Sequence, residues 1–134
     1  PYYGVAGTEE VDSAAYTTIG YVDIDPSIMQ ASSVPDNFTR VLTFKATGEV
    51  ETAGTTMSIR LRDASNAAVT GSEITTTAAA ESAAEPLSAV LTEGVASPDI
   101  TNARQLYAVQ VKRNGGAGGD LIWCRSAYIE VTYS

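Results

Sequence analysis

The chain has 134 residues, 44% hydrophobic and 18% charged, with a net charge of −8, one cysteine and no histidine. That is one domain's length of lightly charged, globular sequence. The lone cysteine excludes an internal disulfide, and the missing histidine excludes Ser-His-Asp and Cys-His catalysis. The acidic balance argues against a nucleic-acid partner, and no stretch approaches the ~18 apolar residues of a membrane span.

The charge is uneven. Residues 1–39 carry six acids (Glu9, Glu10, Asp12, Asp23, Asp25, Asp36) and no Lys or Arg, so −6 of the −8 lies there. Residues 1–37 read as an acidic, partly extended segment that either lies on a basic surface of a partner or forms a solvated leader. Its opening, PYYGVAGTEEVD, has no basic region and no apolar run of a secretory signal. A proline at position 1 fits removal of an initiator Met or another processing step. A strand is expected at YTTIGYVDI (16–24), then a long connection, DPSIMQASSVPDN. Asp23 and Asp25 would share one face of an extended chain and are weighed as Ca²⁺ ligands, but the rest of an EF-hand loop is missing, and Asp25-Pro26 reads as a turn start. No metal and no cofactor is expected. Asn37-Phe38-Thr39 matches a glycosylation sequon.

From residue 38 onward, period-two alternation recurs between turn residues. In FTRVLTFKATGEV (38–50), Leu42, Phe44 and Ala46 share a face. In TMSIRLRD (56–63), Met57, Ile59 and Leu61 oppose Ser58, Arg60 and Arg62. ASNAA is a turn into a strand at VTGSEITTT (69–77). TTTAAAESAAEPLSAV favours helix by its Ala and Glu, but its apolar side chains are small and Pro86 interrupts it. It reads as a strand end and a loop with one helical turn, then a strand at PLSAVLTE (86–93). QLYAVQVKR (105–113) turns Tyr107, Val109 and Val111 inward and Leu106, Ala108, Gln110 and Lys112 outward. In DLIWCRSAYIEVTYS (120–134), the face shared by Ile129, Val131 and Tyr133 would by parity bring Arg125 inward, which predicts a bulge or bend near Arg125–Ala127. Seven or eight such strands predict an all-β, single-domain antiparallel β-sandwich, jelly-roll-like, over 38–134, carrying the extended N-terminal segment.

KRNGGAGGDLIWC (112–124) raises the question of a phosphate cradle. No Lys-Ser/Thr pair follows the glycines, Leu121 stands where a third dinucleotide-site glycine belongs, and the next segment is strand-like. Asn114-Gly115 instead signals a type I′ hairpin turn. The glycines then serve a mobile tip or let another backbone approach closely. No catalytic residue is assigned. Arg60 and Arg62, with Lys45, are expected on outward faces, either paired across strands with Glu49, Glu51 or Glu73, or receiving an acidic segment. Glu9, Glu10 and Asp12 are the matching acidic contacts. Trp123 and Tyr128 are weighed as a carbohydrate-stacking platform. Cys124 reads as a small buried hydrophobe.

The strand Arg104-x-x-Tyr107-x-Val109-x-Val111-Lys112, the Gly-rich hairpin, the closing strand Ala127–Tyr133 and the upstream SIRLRDASNAAVTGSEI (58–74) resemble, over residues 38–134, the small β-sandwich or jelly-roll proteins of tailed-phage virions. These are capsid decoration or cement proteins and head- or tail-fibre modules. The resemblance implies a non-enzymatic protein, made in a host cytoplasm without a signal peptide and placed on the virion surface. It implies a major capsid or other virion protein as partner, a homo-oligomer, with a trimer favoured, and an N-terminal arm over neighbouring subunits. The alternative within the same resemblance is a fibre module that recognises carbohydrate.

Overall fold

The computed structural model describes residues 2–5, 9–25, 40–77, 81, 83–94, 98–101 and 103–133. Among these there is no helix. The strands are β1 (Tyr2–Val5), β2 (Glu9–Val11), β3 (Thr17–Ile24), β4 (Arg40–Val50), β5 (Thr56–Arg62), β6 (Ile74–Thr75), β7 (Glu85–Val90), β8 (Gln105–Asn114) and β9 (Ile122–Tyr133).

They form two antiparallel sheets. The first runs β1–β9–β4–β7, with β2 also on β9, and the second runs β3–β8–β5–β6. Taking β1 and β2 as one interrupted strand, the pairs β1/β2 with β9, β3 with β8, β4 with β7 and β5 with β6 are those of one long hairpin rolled over on itself. That connectivity makes the sandwich jelly-roll-like.

The alternation read from the sequence sets the inner faces. Leu42, Phe44, Ala46 and Val50 of β4 and Ile122, Cys124, Ala127, Ile129 and Val131 of β9 are buried. They face Val22 and Ile24 of β3, Met57, Ile59 and Leu61 of β5, and Tyr107, Val109 and Val111 of β8. Each large side chain taken from water contributes roughly 1.5–3 kcal/mol, which makes this layer the main favourable term. Tyr107 carries a polar atom inside, and its hydroxyl accepts the Thr101 N–H at 3.1 Å. Gly48 is required by space, because a Cβ there would stand 2.7 Å from Thr76 Cγ2 and 2.9 Å from Met57 Sδ.

The parity conflict in β9 resolves as a bulge. Thr47 pairs with Ser126 and Gly48 with Cys124, leaving Arg125 as the extra residue. Ile122 and Cys124 therefore share the inner face with Ala127 and Ile129, while Arg125 turns outward onto Glu49 at 2.6 Å. The bulge also coincides with the break between β1 and β2, since Val5 pairs with Ala127 and Glu9 with Cys124.

Several sequence expectations are revised. β1 and β2 were not foreseen; with β3 they are strands of the sandwich itself, so the described part of residues 1–37 is integral to both sheets. The strand expected at 69–77 shrinks to Ile74–Thr75, because Gly71 takes a φ of +76° and Ser72 N–H closes a turn on the Val69 carbonyl at 3.1 Å. The strand at 86–93 is Glu85–Val90, and Pro86 fits there because β7 is an edge strand. The connection at 26–37, the sequon and residues 78–80 of the helix-favouring stretch lie outside the described residues.

Candidate interaction surfaces

At the tip between β8 and β9 the left-handed pair is Gly115 (φ +79°) and Gly116 (φ +69°), one residue later than the Asn114-Gly115 expected, and Gly119 adds a third at +96°. Asn114 stays in β8 and donates to Ser58 Oγ at 2.8 Å. The Asp120 carboxylate closes the tip, accepting from Ala117 N–H at 2.7 Å and from the Thr52 hydroxyl at 2.9 Å. The Ala117 N–H first, then the Thr52 hydroxyl, hold the Asp120 carboxyl below its ordinary range. A Cβ on Gly116 would meet Asp120 Oδ2 at 2.5 Å. Gly115, Gly116 and Gly119 thus answer to backbone conformation, and Gly116 also to close approach within the chain itself.

Arg113, below the tip, is only 7% exposed. Its Nη1 donates to the Gly115 carbonyl and its Nε to the Asp12 carbonyl at 3.2 Å, while its own N–H donates to the Ser13 carbonyl at 2.8 Å. One buried guanidinium therefore ties the hairpin tip to the segment that crosses from β2 to β3.

The outer face of the second sheet carries Arg60 and Arg62. Tyr16 lies over it, with the Arg60 guanidinium 3.7 Å and the Lys112 ammonium 4.9 Å from its ring centroid. The Tyr16 hydroxyl donates to Glu73 at 2.6 Å. Burial, then the Glu73 carboxylate, push this phenol far above its ordinary range. Arg60 also donates to Gln110 Oε1 at 3.0 Å, and Arg62 donates to the Asn66 carbonyl at 2.8 Å. The cross-strand pairs expected for these residues are therefore replaced. Lys45 joins Glu130 at 3.1 Å, and Glu51 accepts the Leu121 N–H at 2.8 Å. The cause is topology: β4 and β5 belong to different sheets, so Glu49 and Glu51 do not stand beside Arg60 and Arg62.

Glu9 and Glu10 pair with Cys124 and Trp123 at the edge of the first sheet, and Asp12 is exposed just beyond. Glu9 and Glu10 thus sit on a strand of the first sheet, whereas Arg60 and Arg62 sit on β5 of the second. Asp23 is held by Arg104 at 2.6 Å, and that hydrogen bond keeps its carboxyl below the ordinary range. Among the described residues no group of three or more His, Cys, Asp or Glu is placed to hold a metal ion.

Leu106 was expected outward and Tyr128 was weighed as a surface aromatic, but the neighbours that each meets were not legible in the sequence. On the outer face of the second sheet, Tyr21 is 60% and Leu106 55% exposed. The register sets Tyr21 opposite Ala108 and Asp23 opposite Leu106, so the two apolar side chains are diagonal neighbours. They line one shallow concavity with Arg62 and Gln110. Tyr21 could have been found by parity, since Val22 and Ile24 point inward.

On the first sheet, Trp123 and Tyr128 both face outward, as their buried neighbours Cys124, Ala127 and Ile129 require. They stand five residues apart, about 13–16 Å along a strand, too far to share one sugar ring. The Arg125 guanidinium stands 5.3 Å from the Trp123 ring. Tyr128 instead lines an open groove across β9, β4 and β7 with Lys45, Thr47, Pro86 and Ser88. The sequence matches no protein-family model and no curated protein.

Proposed function

We propose that this chain is a non-enzymatic structural protein of a tailed-phage virion, a decoration or cement protein that attaches to the shell lattice. The observation that carries the reading is the Tyr21–Leu106 patch. Two exposed apolar side chains lie side by side on a rigid sheet, ringed by Arg62, Gln110 and the Asp23–Arg104 pair. Tyr and Arg around a small apolar centre is the composition of protein–protein hot spots. A flat sheet face of this kind fits the attachment of many identical copies to a regular surface, and stable attachment calls for ~1,600 Å² of interface.

The resemblance of residues 58–74 and 104–133 to virion β-sandwich proteins supplies the setting. In this reading the chain acts as a homo-oligomer, a trimer, with a major capsid protein as its partner. The acidic edge at Glu9, Glu10 and Asp12 faces neighbouring subunits, and their Arg60 and Arg62 are the complementary charges.

Add-back to particles tests it. Particles purified from the source and stripped of this chain should rebind the wild-type protein in a sedimentation assay. Leu106→Lys, at an exposed position, should stay folded and fail to rebind. Equal rebinding of both would remove the patch from the contact, and no rebinding of the wild type would contradict the lattice role.

A further inference from the structure

We propose that the groove on the outer face of the first sheet is a binding site for a neutral saccharide. The inference does not depend on the virion reading, because it rests on a different face of the sandwich.

The cross-strand rows build the groove. Tyr128, Lys45 and Ser88 lie in one row across β9, β4 and β7, and Ser126, Thr47 and Pro86 lie in the next. Strands are spaced ~4.8 Å apart, so the wall formed by Tyr128 and the wall formed by Pro86 and Ser88 are about 10 Å from each other.

Lys45 stands in the middle of the row but reaches to Glu130 at 3.1 Å, one row away. That ion pair balances the ammonium charge, so the groove offers no net positive charge to a phosphate or carboxylate. The groove's other polar and ring groups are the Tyr128 ring, the Pro86 ring and the hydroxyls of Thr47 and Ser88. Ser126 donates to Thr47 at 3.2 Å, which fixes the acceptor side of that pair and leaves the Thr47 proton directed elsewhere.

The groove has a volume of about 280 Å³ and is open to solvent. A ligand that fits must be flat, with C–H groups on one face for the aromatic ring and hydroxyls on its edge for the Ser and Thr groups. A pyranose has this chemistry. A peptide strand would pair along the β7 edge, and there Pro86 removes a backbone N–H.

The test is binding of the full-length protein to an array of neutral glycans ending in hexose, N-acetylhexosamine or fucose, beside sialylated and sulfated glycans. The wild type should be retained on one or more neutral glycans. Tyr128→Ala should weaken retention ~10-fold or more, as loss of a central aromatic contact does. Ser88→Arg fills the groove from an exposed edge position without touching the core, and it should abolish retention even if Tyr128→Ala proves unstable. Trp123→Ala should leave retention unchanged. No retention on neutral glycans, retention on anionic glycans alone, or retention that survives Ser88→Arg would overturn the proposal.

Discussion

Gly116→Ala is expected to destabilise the protein by about 2–4 kcal/mol, from two sources that add. An L-residue at a φ of +69° costs roughly 1–2 kcal/mol of backbone strain. The new methyl group would also stand 2.5 Å from Asp120 Oδ2 and 2.9 Å from Thr55 Oγ1, and overpacking of that kind costs ~1 kcal/mol or more. The neighbouring glycines supply the controls. Gly115 shares the left-handed φ at +79° but meets nothing within 4 Å, so Gly115→Ala should cost only the strain, roughly 1–2 kcal/mol. Gly118 has neither a left-handed φ nor a close neighbour, so Gly118→Ala should be neutral or stabilise by ~0.5 kcal/mol through the unfolded chain. Urea denaturation of the three variants gives the order directly, with each kcal/mol lowering Tm by roughly 3–5 °C in a chain of this size. A Gly118→Ala cost equal to that of Gly116→Ala would refute the reasoning, since the tip would then be sensitive everywhere and not at the point of close approach.

Arg113→Met should cost about 2–4 kcal/mol, because it leaves the Asp12 and Gly115 carbonyls without their donor. Hydrogen exchange should then quicken in β1 and β2 before β4, and uniform quickening would argue against a local tie. Tyr133→Phe should stabilise by ~0.5–1 kcal/mol, because the Tyr133 hydroxyl is buried and finds no hydrogen-bond partner among the described residues; a loss of stability in thermal denaturation would count against this. Asp23 and Asp120 both have folded-state pKa values below the ordinary range, Asp23 through Arg104 and Asp120 through the Ala117 N–H. The folded chain binds fewer protons at these sites than the unfolded chain, so their contribution is present above the unfolded pKa of about 3.9 and is lost as pH falls below it. Tm should stay level from neutral pH to about 5 and fall below about 4, with a shallower fall in the Asp23→Asn, Asp120→Asn double variant. With no histidine in the chain, a fall between neutral pH and 5 would contradict this.

The long inner strands were legible because burial enforces parity. Leu42, Phe44 and Ala46, then Met57, Ile59 and Leu61, then Tyr107, Val109 and Val111 alternate as a half-buried sheet must. Even the bulge at Arg125 followed from parity, since a charged residue on an apolar face has few other outcomes. β1 and β2 were not legible, because YYGV and EEV have no such alternation and are placed by main-chain pairing with β9. Charge pairing failed for a related reason. Glu49 and Arg60 are close in sequence, but the rolled hairpin sends β4 and β5 to opposite sheets and puts β8 beside β5. Of the candidate surface residues, Trp123 and Tyr128 were visible as aromatics on a terminal strand. That Tyr128 lines a groove depends on β7, which the sequence does not place next to β4.

The most direct test of the lattice role is copy number. Particles from the source would be purified, and this chain quantified by mass spectrometry against their most abundant shell protein. The account predicts hundreds of copies per particle in a simple ratio to the shell protein. A few copies per particle would assign the chain to a fibre or tail, and its absence from particles would contradict the virion reading altogether.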